Sequence, residues 1–403
     1  MKVYYYDGGK PFGDVFEHGG HQYAAKQPGQ FMLGAIVYAF LRLFGIDYVH
    51  HYALCAALVS FLTTSLVTAL AGLAVFATVR ELTADAKIHW PLASAILFGF
   101  GTTAFVYAGI AYHDAIASGY LAIAFYCAVL LSRRRVSERA AKVLAALCGL
   151  LLGFTVTTSM LPFFMACVVG LYVVFLRRWG LIVPLLLGGV IGIAPLLIFN
   201  SVSFGNPLLN SYSAGGYPES MLHLDLHNSF EKIRLYLSEI TLYVPLVWVG
   251  LLGIALFPRA LRSYQIVIVL LLSAQAMQVV NIESHGGCHY GPRFLLPVMP
   301  FACIGLAGFA HLQSRVSKSL AISATLLVGL ISIFISAVGA LSTAMYCDAG
   351  RYALSPALGN LRALSLNDFP LTAWFVVPLL LSVALLVYSV CNRQRLERGH
   401  PYP

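Results

Sequence analysis

The feature that most constrains this chain is a series of long stretches without charge. Eleven apolar windows contain no Asp, Glu, Lys or Arg: residues 52–79, 91–111, 115–131, 143–158, 160–176, 181–199, 240–257, 265–281, 294–313, 319–342 and 371–391. About 20 helical residues cross the ~30 Å hydrocarbon layer of a bilayer, and backbone groups in lipid must pair within their own segment. Residues 52–391 are therefore predicted to form an all-α, polytopic transmembrane bundle of about 11 spans.

The connections between the windows differ in charge. Residues 80–90, 132–142, 177–180, 258–263, 314–318 and 392–403 hold 16 Lys/Arg in 49 residues, whereas 1–51, 112–114, 200–237, 282–293 and 343–370 hold 9 in 132. Because cytoplasmic loops retain Lys and Arg, the first set, with the C-terminal tail 392–403, is predicted to be cytoplasmic. The net charge of +9 comes mostly from the Lys and Arg of these short connections, which determine the topology. It therefore does not indicate a nucleic-acid partner, and none is expected.

The second set of segments is longer and is predicted to lie outside. Long connections on a rigid scaffold commonly carry function, so function is expected at the outer face. Segment 31–46 is apolar but only ~24 Å long as a helix, and both its ends are assigned outside. We therefore expect an interfacial or re-entrant helix within the outer segment 1–51, in contact with membrane lipids. Segment 222–237 predicts an amphipathic helix on the outer surface.

Four of the outer stretches have recognisable patterns: GDVFEHGGHQYAAKQPGQ (13–30), YHDAIASGYLAIAFYCAVLL (112–131), FNSVSFGNPLLNSYSAGGYP (199–218) and HGGCHYGPRFLLPVMP (285–300). In order and spacing they resemble the polytopic GT-C glycosyltransferases, a superfamily that includes protein mannosyltransferases and aminoarabinose transferases. That family normally places a catalytic Asp after a first span. The resemblance therefore implies that a span precedes Met1 in the native protein, or that Asp7 or Asp14 takes the place of that acid.

The resemblance implies an enzyme, a hexosyl or pentosyl transferase of a bacterial inner membrane. The donor would be a polyprenyl-phosphate-linked sugar, and the acceptor a glycan, lipid or protein on the periplasmic side. The sequence contains neither a GxxxxGK[ST] nor a strand-associated GxGxxG signature, so no soluble nucleotide donor is indicated.

Three carboxylates are candidates for the base that accepts the acceptor's proton: Asp14, then Asp7, with Asp114 as the alternative. Arg293, after a Gly-Pro turn, is the first candidate for binding the phosphate, because a guanidinium matches phosphate geometry. The predicted substrate-binding residues are Lys26, His113, Tyr212, Glu283, Tyr290 and Arg293. Interpretations without function also exist: an interfacial anchor for Arg293, a helix N-cap for Asp114 and an aromatic belt for the tyrosines.

Cofactor use is left open by the sequence. His113, His285 and His289 could hold a divalent metal together with a carboxylate, but their spacing does not identify a metal site. No other cofactor is indicated, and no residue is assigned as a metal ligand.

Three other functions remain compatible with the pattern. A flippase or transporter of lipid-linked glycans would share the topology, although ionisable residues within spans, typical of ion-coupled transport, are lacking here. An O-antigen-type ligase, which moves a whole glycan from a lipid pyrophosphate, would share a basic outer site. The third alternative is a catalytically inactive scaffold.

Overall fold

The computed structural model describes residues 15–83, 89–133, 135–215, 226–282, 289–342, 380, 381, 383 and 384. The predicted bases Asp7 and Asp14, the predicted ligand Glu283 and the tail 392–403 lie outside these residues, as does almost all of the predicted span 371–391. The described part of the chain is helical apart from one short hairpin.

The first half begins with an antiparallel hairpin and continues in helices: β1 Val15–His18, β2 His21–Ala24, α1 Pro28–Arg42, α2 Tyr52–Ser60, α3 Leu66–Leu82, α4 His89–Phe100, α5 Thr103–Ala108, α6 His113–Arg133, α7 Glu138–Thr158 and α8 Phe163–Phe175. A π-helical turn, Phe61–Ser65, joins α2 to α3 without a break in direction. Such turns are frequent at functional sites.

The second half continues with α9 Ile182–Phe204, α10 Ser211–Ala214, α11 Leu226–Tyr243, α12 Leu246–Ala255, α13 Arg262–Asn281, α14 Met299–Gly305 and α15 Arg315–Ser342. Short 3-10 helices occupy Trp179–Leu181, Arg259–Leu261, Arg293–Val298 and Leu306–His311. α9 ends at Gly205, whose φ of 74° is the left-handed conformation common after a helix.

Within the described residues, seven helical segments are long and apolar enough to cross a membrane, so the predicted multi-pass helical architecture is confirmed. They are Tyr52–Leu82, His113–Arg133, Glu138–Thr158, Trp179–Phe204, Arg259–Asn281, Arg293–Ala310 and Arg315–Leu341. The predicted windows 91–111 and 160–176 contain the shorter apolar helices α4 and α8, of 12 and 13 residues. Helix breaks at Gly101 and Pro162 shorten them, which the charge pattern alone does not reveal.

Glycines set the closest packing in the bundle. α7 and α9 run parallel, with Gly149 and Gly153 facing Gly188 and Gly192 across the contact. A Cβ atom at Gly188 would collide with the backbone carbonyl of Ala146. This contact brings the C-terminal ends of both helices to the same end of the bundle.

α6 defines the two ends of the bundle. At its C-terminal end, Arg133 donates from Nη2 to the Glu81 carbonyl at 2.5 Å and lies over the Tyr264 ring. At its N-terminal end, Asp114 meets Ser159, which follows α7. Residues predicted to share a side of the membrane are thus in contact at each end.

α11 and α12 meet at an angle of 105°, so α11 is not part of any of the seven straight spans. The Trp248 indole donates across this bend to the Thr241 hydroxyl at 3.1 Å. α11 turns the apolar Phe230 and Ile233 outwards, with 74% and 43% of their surface exposed, and buries Tyr236 at 5%. The predicted amphipathic helix therefore exists between 226 and 243, with part of its polar face towards the protein.

Candidate active site

A tight turn delivers Arg293 to the N-terminal end of its 3-10 helix. Gly291 has a φ of 70°, which glycine adopts at little cost. The Arg293 N–H donates to the Gly291 carbonyl at 2.8 Å around Pro292, whose φ of −75° and ψ of 73° define an inverse γ-turn. The Gly-Pro pair thereby points the chain back into the bundle at Arg293.

The guanidinium of Arg293 is buried, with 9% of the residue exposed. Its Nη1 donates to the Tyr112 hydroxyl at 2.5 Å and contacts His289 Nε2 at 2.8 Å. Because a guanidinium can only donate, His289 Nε2 must accept, which places the ring proton on Nδ1. The guanidinium carbon lies 4.7 Å from the centroid of the Phe294 ring. Nε has no partner among the described residues, so this edge is available to an anion.

Asp114 is the buried carboxylate of this region, with 1% of its surface exposed. Its Oδ1 accepts from the Ser159 hydroxyl at 2.7 Å and lies 3.3 Å from His113 Nε2. The Ser159 oxygen in turn accepts from the Leu161 N–H at 3.2 Å, which fixes its orientation. Asp114 lies within the first turn of α6, where the helix dipole favours an anion.

The second oxygen of Asp114 is the one left for chemistry. Oδ2 is buried and has no hydrogen-bond partner in the part of the chain that the structure describes. A carboxylate with one oxygen held and the other unpaired can accept a proton or a hydrogen bond from a ligand.

Tyr112 joins the cation to the carboxylate. It stacks on Tyr107 with ring centroids 4.5 Å apart, and its N–H donates to the Thr64 hydroxyl of the π-helical turn at 3.3 Å. Burial raises the pKa of the Tyr112 hydroxyl well above its usual value; the charge of Asp114 adds to this and Arg293 opposes it. Tyr112, which accepts from Arg293 and lies two residues before Asp114 in the chain, thus links the two charged residues.

The predicted ligand Tyr290 braces this region. It is 1% exposed, and its hydroxyl donates to the Ile335 carbonyl at 2.8 Å. Its own carbonyl accepts from the Tyr107 hydroxyl at 2.8 Å, and its ring packs edge-on against Tyr243. These contacts position the turn that carries Arg293, and they commit the only hydroxyl hydrogen of Tyr290 to the protein.

Lys26 and Tyr212 form a second group. The Lys26 ammonium lies 5.8 Å from the centroid of the Tyr212 ring. α1 starts two residues after Lys26, and a Cβ at Gly29 would collide with Thr158, the residue before Ser159. The pair therefore lies at the same end of the bundle as Asp114.

The proposed histidine ligands of a metal do not converge in the described residues. There, no group of three or more His, Cys, Asp and Glu side chains could hold a metal ion. His113 lies against Asp114, but His289 directs its Nε2 lone pair to Arg293. His285 lies outside the described residues.

Four residues that the structure brings to this region were not predicted as site residues: Tyr112, Ser159, Tyr236 and Glu239. Ser159 is an ordinary serine after a span, and nothing local identifies its bond to Asp114. Glu239 falls between the predicted outer segment 200–237 and the predicted span 240–257. It is half-buried on α11, and burial raises its pKa from 4.5 to about 7. The 232-236-239-243 spacing of polar and tyrosine residues was the available signal for a helix face directed at the site.

The fold is similar to that of ArnT from Cupriavidus metallidurans, in a crystal structure bound to undecaprenyl phosphate. The TM-score is 0.51 at 15% identity, over 94% of this chain and 70% of ArnT. ArnT is an aminoarabinose transferase of the GT-C superfamily. This chain shares the fold of ArnT. The resemblance seen in the four sequence stretches is thereby confirmed at the level of fold.

Another GT-C structure is also similar. The archaeal oligosaccharyltransferase AglB from Archaeoglobus fulgidus, in complex with an inhibitory peptide and a dolichol-phosphate, aligns at 12% identity over 88% of this chain and 51% of its own, with a TM-score of 0.48. No protein-family model and no curated protein matches the sequence. The similarity to ArnT therefore shows the fold alone, and activity has to be argued from the site.

Proposed function

We propose that this chain is a membrane glycosyltransferase that moves a sugar from a polyprenyl-phosphate donor to a glycan, lipid or protein acceptor. The observation that carries the proposal is that Arg293 and Asp114 both lie buried at one end of the bundle, and that Arg293 Nε and Asp114 Oδ2 have no partner among the described residues. A GT-C fold with a buried cation and a buried base at one end supports group transfer from an anionic lipid carrier.

The side of the membrane is part of the proposal. Asp114 and Arg293 belong to segments poor in Lys and Arg, whereas Arg133, at the far end of α6, belongs to the basic set. This asymmetry favours the periplasmic face of a bacterial inner membrane for the site, with eleven crossings and a cytoplasmic C-terminus. Outside the cytoplasm a donor carried by a membrane lipid needs no nucleotide pool.

Arg293 binds the phosphodiester of the donor in this mechanism. Nη1 is held by Tyr112 and His289, which leaves Nε to meet a phosphate oxygen. As the bond between the anomeric carbon and the phosphate oxygen breaks, negative charge grows on that oxygen. A cation already oriented in a low-dielectric site stabilises this charge without reorganisation.

Asp114 acts as the base. An acceptor hydroxyl attacks the anomeric carbon, the bond from that carbon to the phosphate oxygen breaks, and the hydroxyl proton passes to Asp114 Oδ2. The polyprenyl phosphate leaves with the bonding electrons, and attack from the opposite side inverts the anomeric centre. Ser159 and His113 hold Oδ1, so the carboxylate is aligned before the acceptor arrives.

The remaining predicted residues have assigned roles within the proposal. Lys26, over Tyr212, is a second cation for the phosphate or the acceptor. Asp7 and Asp14 stay alternative bases, and Glu283 stays a predicted substrate ligand. A divalent metal held by His113, His285 and His289 together with a carboxylate stays an open alternative, and it would help to hold the phosphate.

The test uses the full chain purified in detergent with a radiolabelled undecaprenyl-phosphate sugar. We expect turnover by the wild type, release of undecaprenyl phosphate, and loss of at least 100-fold in Arg293→Ala, a magnitude typical for removal of one preorganised donor. Arg135→Ala, an exposed arginine just beyond the far end of α6, is the matched control and should retain turnover. A flippase shows no reaction without two compartments.

Asparagine variants identify the base. Asp114→Asn keeps the shape and the Ser159 contact but cannot accept the proton, so it should abolish turnover and leave undecaprenyl-phosphate binding intact. Asp7→Asn and Asp14→Asn are measured beside it. Full activity in Asp114→Asn together with loss in either of the others would transfer the role of base to that residue.

A further inference from the structure

One face of α11 is directed at the bundle. Its residues follow a 4-3-4 spacing that places them on one side of a helix: Lys232, Tyr236, Glu239 and Tyr243. Both ends of this face are anchored. The Lys232 ammonium donates to the Ile282 carbonyl at 2.7 Å, and the Tyr243 ring packs edge-on against Tyr290 with centroids 4.9 Å apart. Tyr236 and Glu239 lie between the two anchors.

These two central residues carry unpaired buried atoms. Tyr236 is 5% exposed, and its hydroxyl has no hydrogen-bond partner in the described ranges; nor has Oε2 of Glu239. Folded proteins pair nearly all of their buried polar atoms. Two unpaired atoms one helical turn apart therefore point to a ligand that supplies their partners.

The same face borders the Arg293 site. Tyr243 of this face packs against the Tyr290 ring, and the Tyr290 carbonyl accepts from the hydroxyl of Tyr107, the ring that stacks on Tyr112. Tyr243, at the end of the face, packs beside Gly291 of the turn that carries Arg293. α11 thus lies beside the turn that carries Arg293 and forms a wall on that side of the site.

The chemistry of the two atoms selects a class of ligand. A buried phenol is neutral and donates, and a carboxylate accepts. Phosphate offers only acceptors near neutral pH and would be repelled by Glu239. A sugar hydroxyl both donates and accepts, so it satisfies both atoms at once.

We propose that Tyr236 and Glu239 bind hydroxyl groups of the donor's sugar and so form the sugar-recognition side of the site. This inference rests on the proposed transferase function. Arg293 would hold the phosphate that all polyprenyl-phosphate donors share, while the α11 pair reads the sugar that distinguishes them.

The experiment compares two ligands on the full-length protein in detergent. Affinity is measured for bare undecaprenyl phosphate and for undecaprenyl phosphate carrying glucose, mannose or N-acetylglucosamine. The sugar increment is the ratio of the Kd of the bare lipid to that of the tightest glycosylated lipid. We expect Glu239→Gln and Tyr236→Phe each to reduce this increment about tenfold, with the affinity for the bare lipid unchanged.

Matched controls lie on the same scaffold. Glu231→Gln removes an exposed carboxyl two turns earlier on α11, and Tyr52→Phe removes an exposed phenol; both should keep the wild-type increment. Arg293→Ala should weaken binding of bare and glycosylated lipids alike. Because Gln and Phe preserve shape, thermal unfolding of the two variants checks that loss of the increment is not loss of fold.

Each outcome of this experiment supports or overturns either the sugar assignment or the proposed function. An unchanged increment in both α11 variants, or a wild type that binds no glycosylated lipid more tightly than the bare one, overturns the sugar assignment. A wild type that does not bind undecaprenyl phosphate, or an Arg293→Ala variant that binds it normally, overturns the proposed function instead. Loss of bare-lipid affinity in Glu239→Gln would assign α11 to the lipid phosphate and contradict the proposal.

Discussion

Replacing Glu239 by glutamine should stabilise the protein at pH 8 and have a much smaller effect at pH 5. The half-buried carboxyl has its pKa raised from 4.5 to about 7, because burial disfavours the charged form. Below pH 4.5 the group is protonated in both the folded and unfolded chain. Between pH 4.5 and 7 the folded chain retains a proton that the unfolded chain has lost. Stability therefore falls as the pH rises through this window.

The magnitude follows from the shift. At 1.36 kcal/mol per pKa unit, a rise from 4.5 to about 7 corresponds to roughly 3 kcal/mol above pH 7. An edge of Glu239 remains accessible, and solvent screening reduces this to about half. Glutamine has the same shape and no charge, so it avoids the cost. In a long chain this corresponds to a Tm higher by roughly 2–4 °C at pH 8.

The assay is thermal unfolding of the detergent-solubilised protein, followed by intrinsic fluorescence at pH 5 and pH 8. The measured quantity is the Tm difference between Glu239→Gln and the wild type at each pH. Glu231→Gln, which removes an exposed carboxyl from the same helix, should show no difference at either pH. A Glu239→Gln variant that is less stable than the wild type at pH 8 would refute a buried, unpaired carboxyl and reveal a partner that holds its charge.

Two further predictions concern the base and the helix packing. Ser159→Ala removes the hydroxyl that donates to Asp114 Oδ1. Because a hydrogen bond to a charged group contributes about 1.5–3 kcal/mol, turnover should fall about tenfold or more while the affinity for the lipid stays unchanged. Normal turnover in this variant would contradict the role of Ser159 in aligning Asp114. Gly188→Ala forces a Cβ onto the Ala146 carbonyl where α7 and α9 are in contact. This overpacking should cost about 1–3 kcal/mol of stability and lower the Tm. Gly180→Ala is the control and should leave the Tm unchanged, because a Cβ there meets nothing within 4 Å.

Most of the architecture follows from one property of the sequence. Charge is excluded from lipid, so the uncharged windows predicted the seven long helices and the apolar α4 and α8. The windows could not show where a helix stops inside an uncharged stretch. α4 stops before Gly101 and α8 begins only after Pro162, in segments as apolar as their neighbours. The 105° bend between α11 and α12 comes at Val244-Pro245, within an uncharged run.

The site was predictable in part. Arg293 and Asp114 stand beside spans, where an ionised group is costly, and a pattern of residue types identified both as candidates. Ser159 becomes relevant only through its contact with Asp114, 45 residues away in the chain, and Tyr112 only through its contact with Arg293, 181 residues away. Such contacts depend on which helices are neighbours, and hydropathy carries no information about that. The predictions for Asp7, Asp14 and Glu283 concern residues that the structure does not describe.

The orientation of α11 connects the site to the membrane. A helix in water turns its apolar side inwards, because burial of apolar surface contributes about 25 cal/mol per Å². α11 leaves Phe230 and Ile233 exposed and buries Tyr236 with part of Glu239. This rotation is favourable only if the surroundings of Phe230 and Ile233 are themselves apolar and the buried polar atoms gain partners. The proposed sugar site would meet both conditions for an interfacial helix, since its outer face would contact acyl chains and its inner face the sugar.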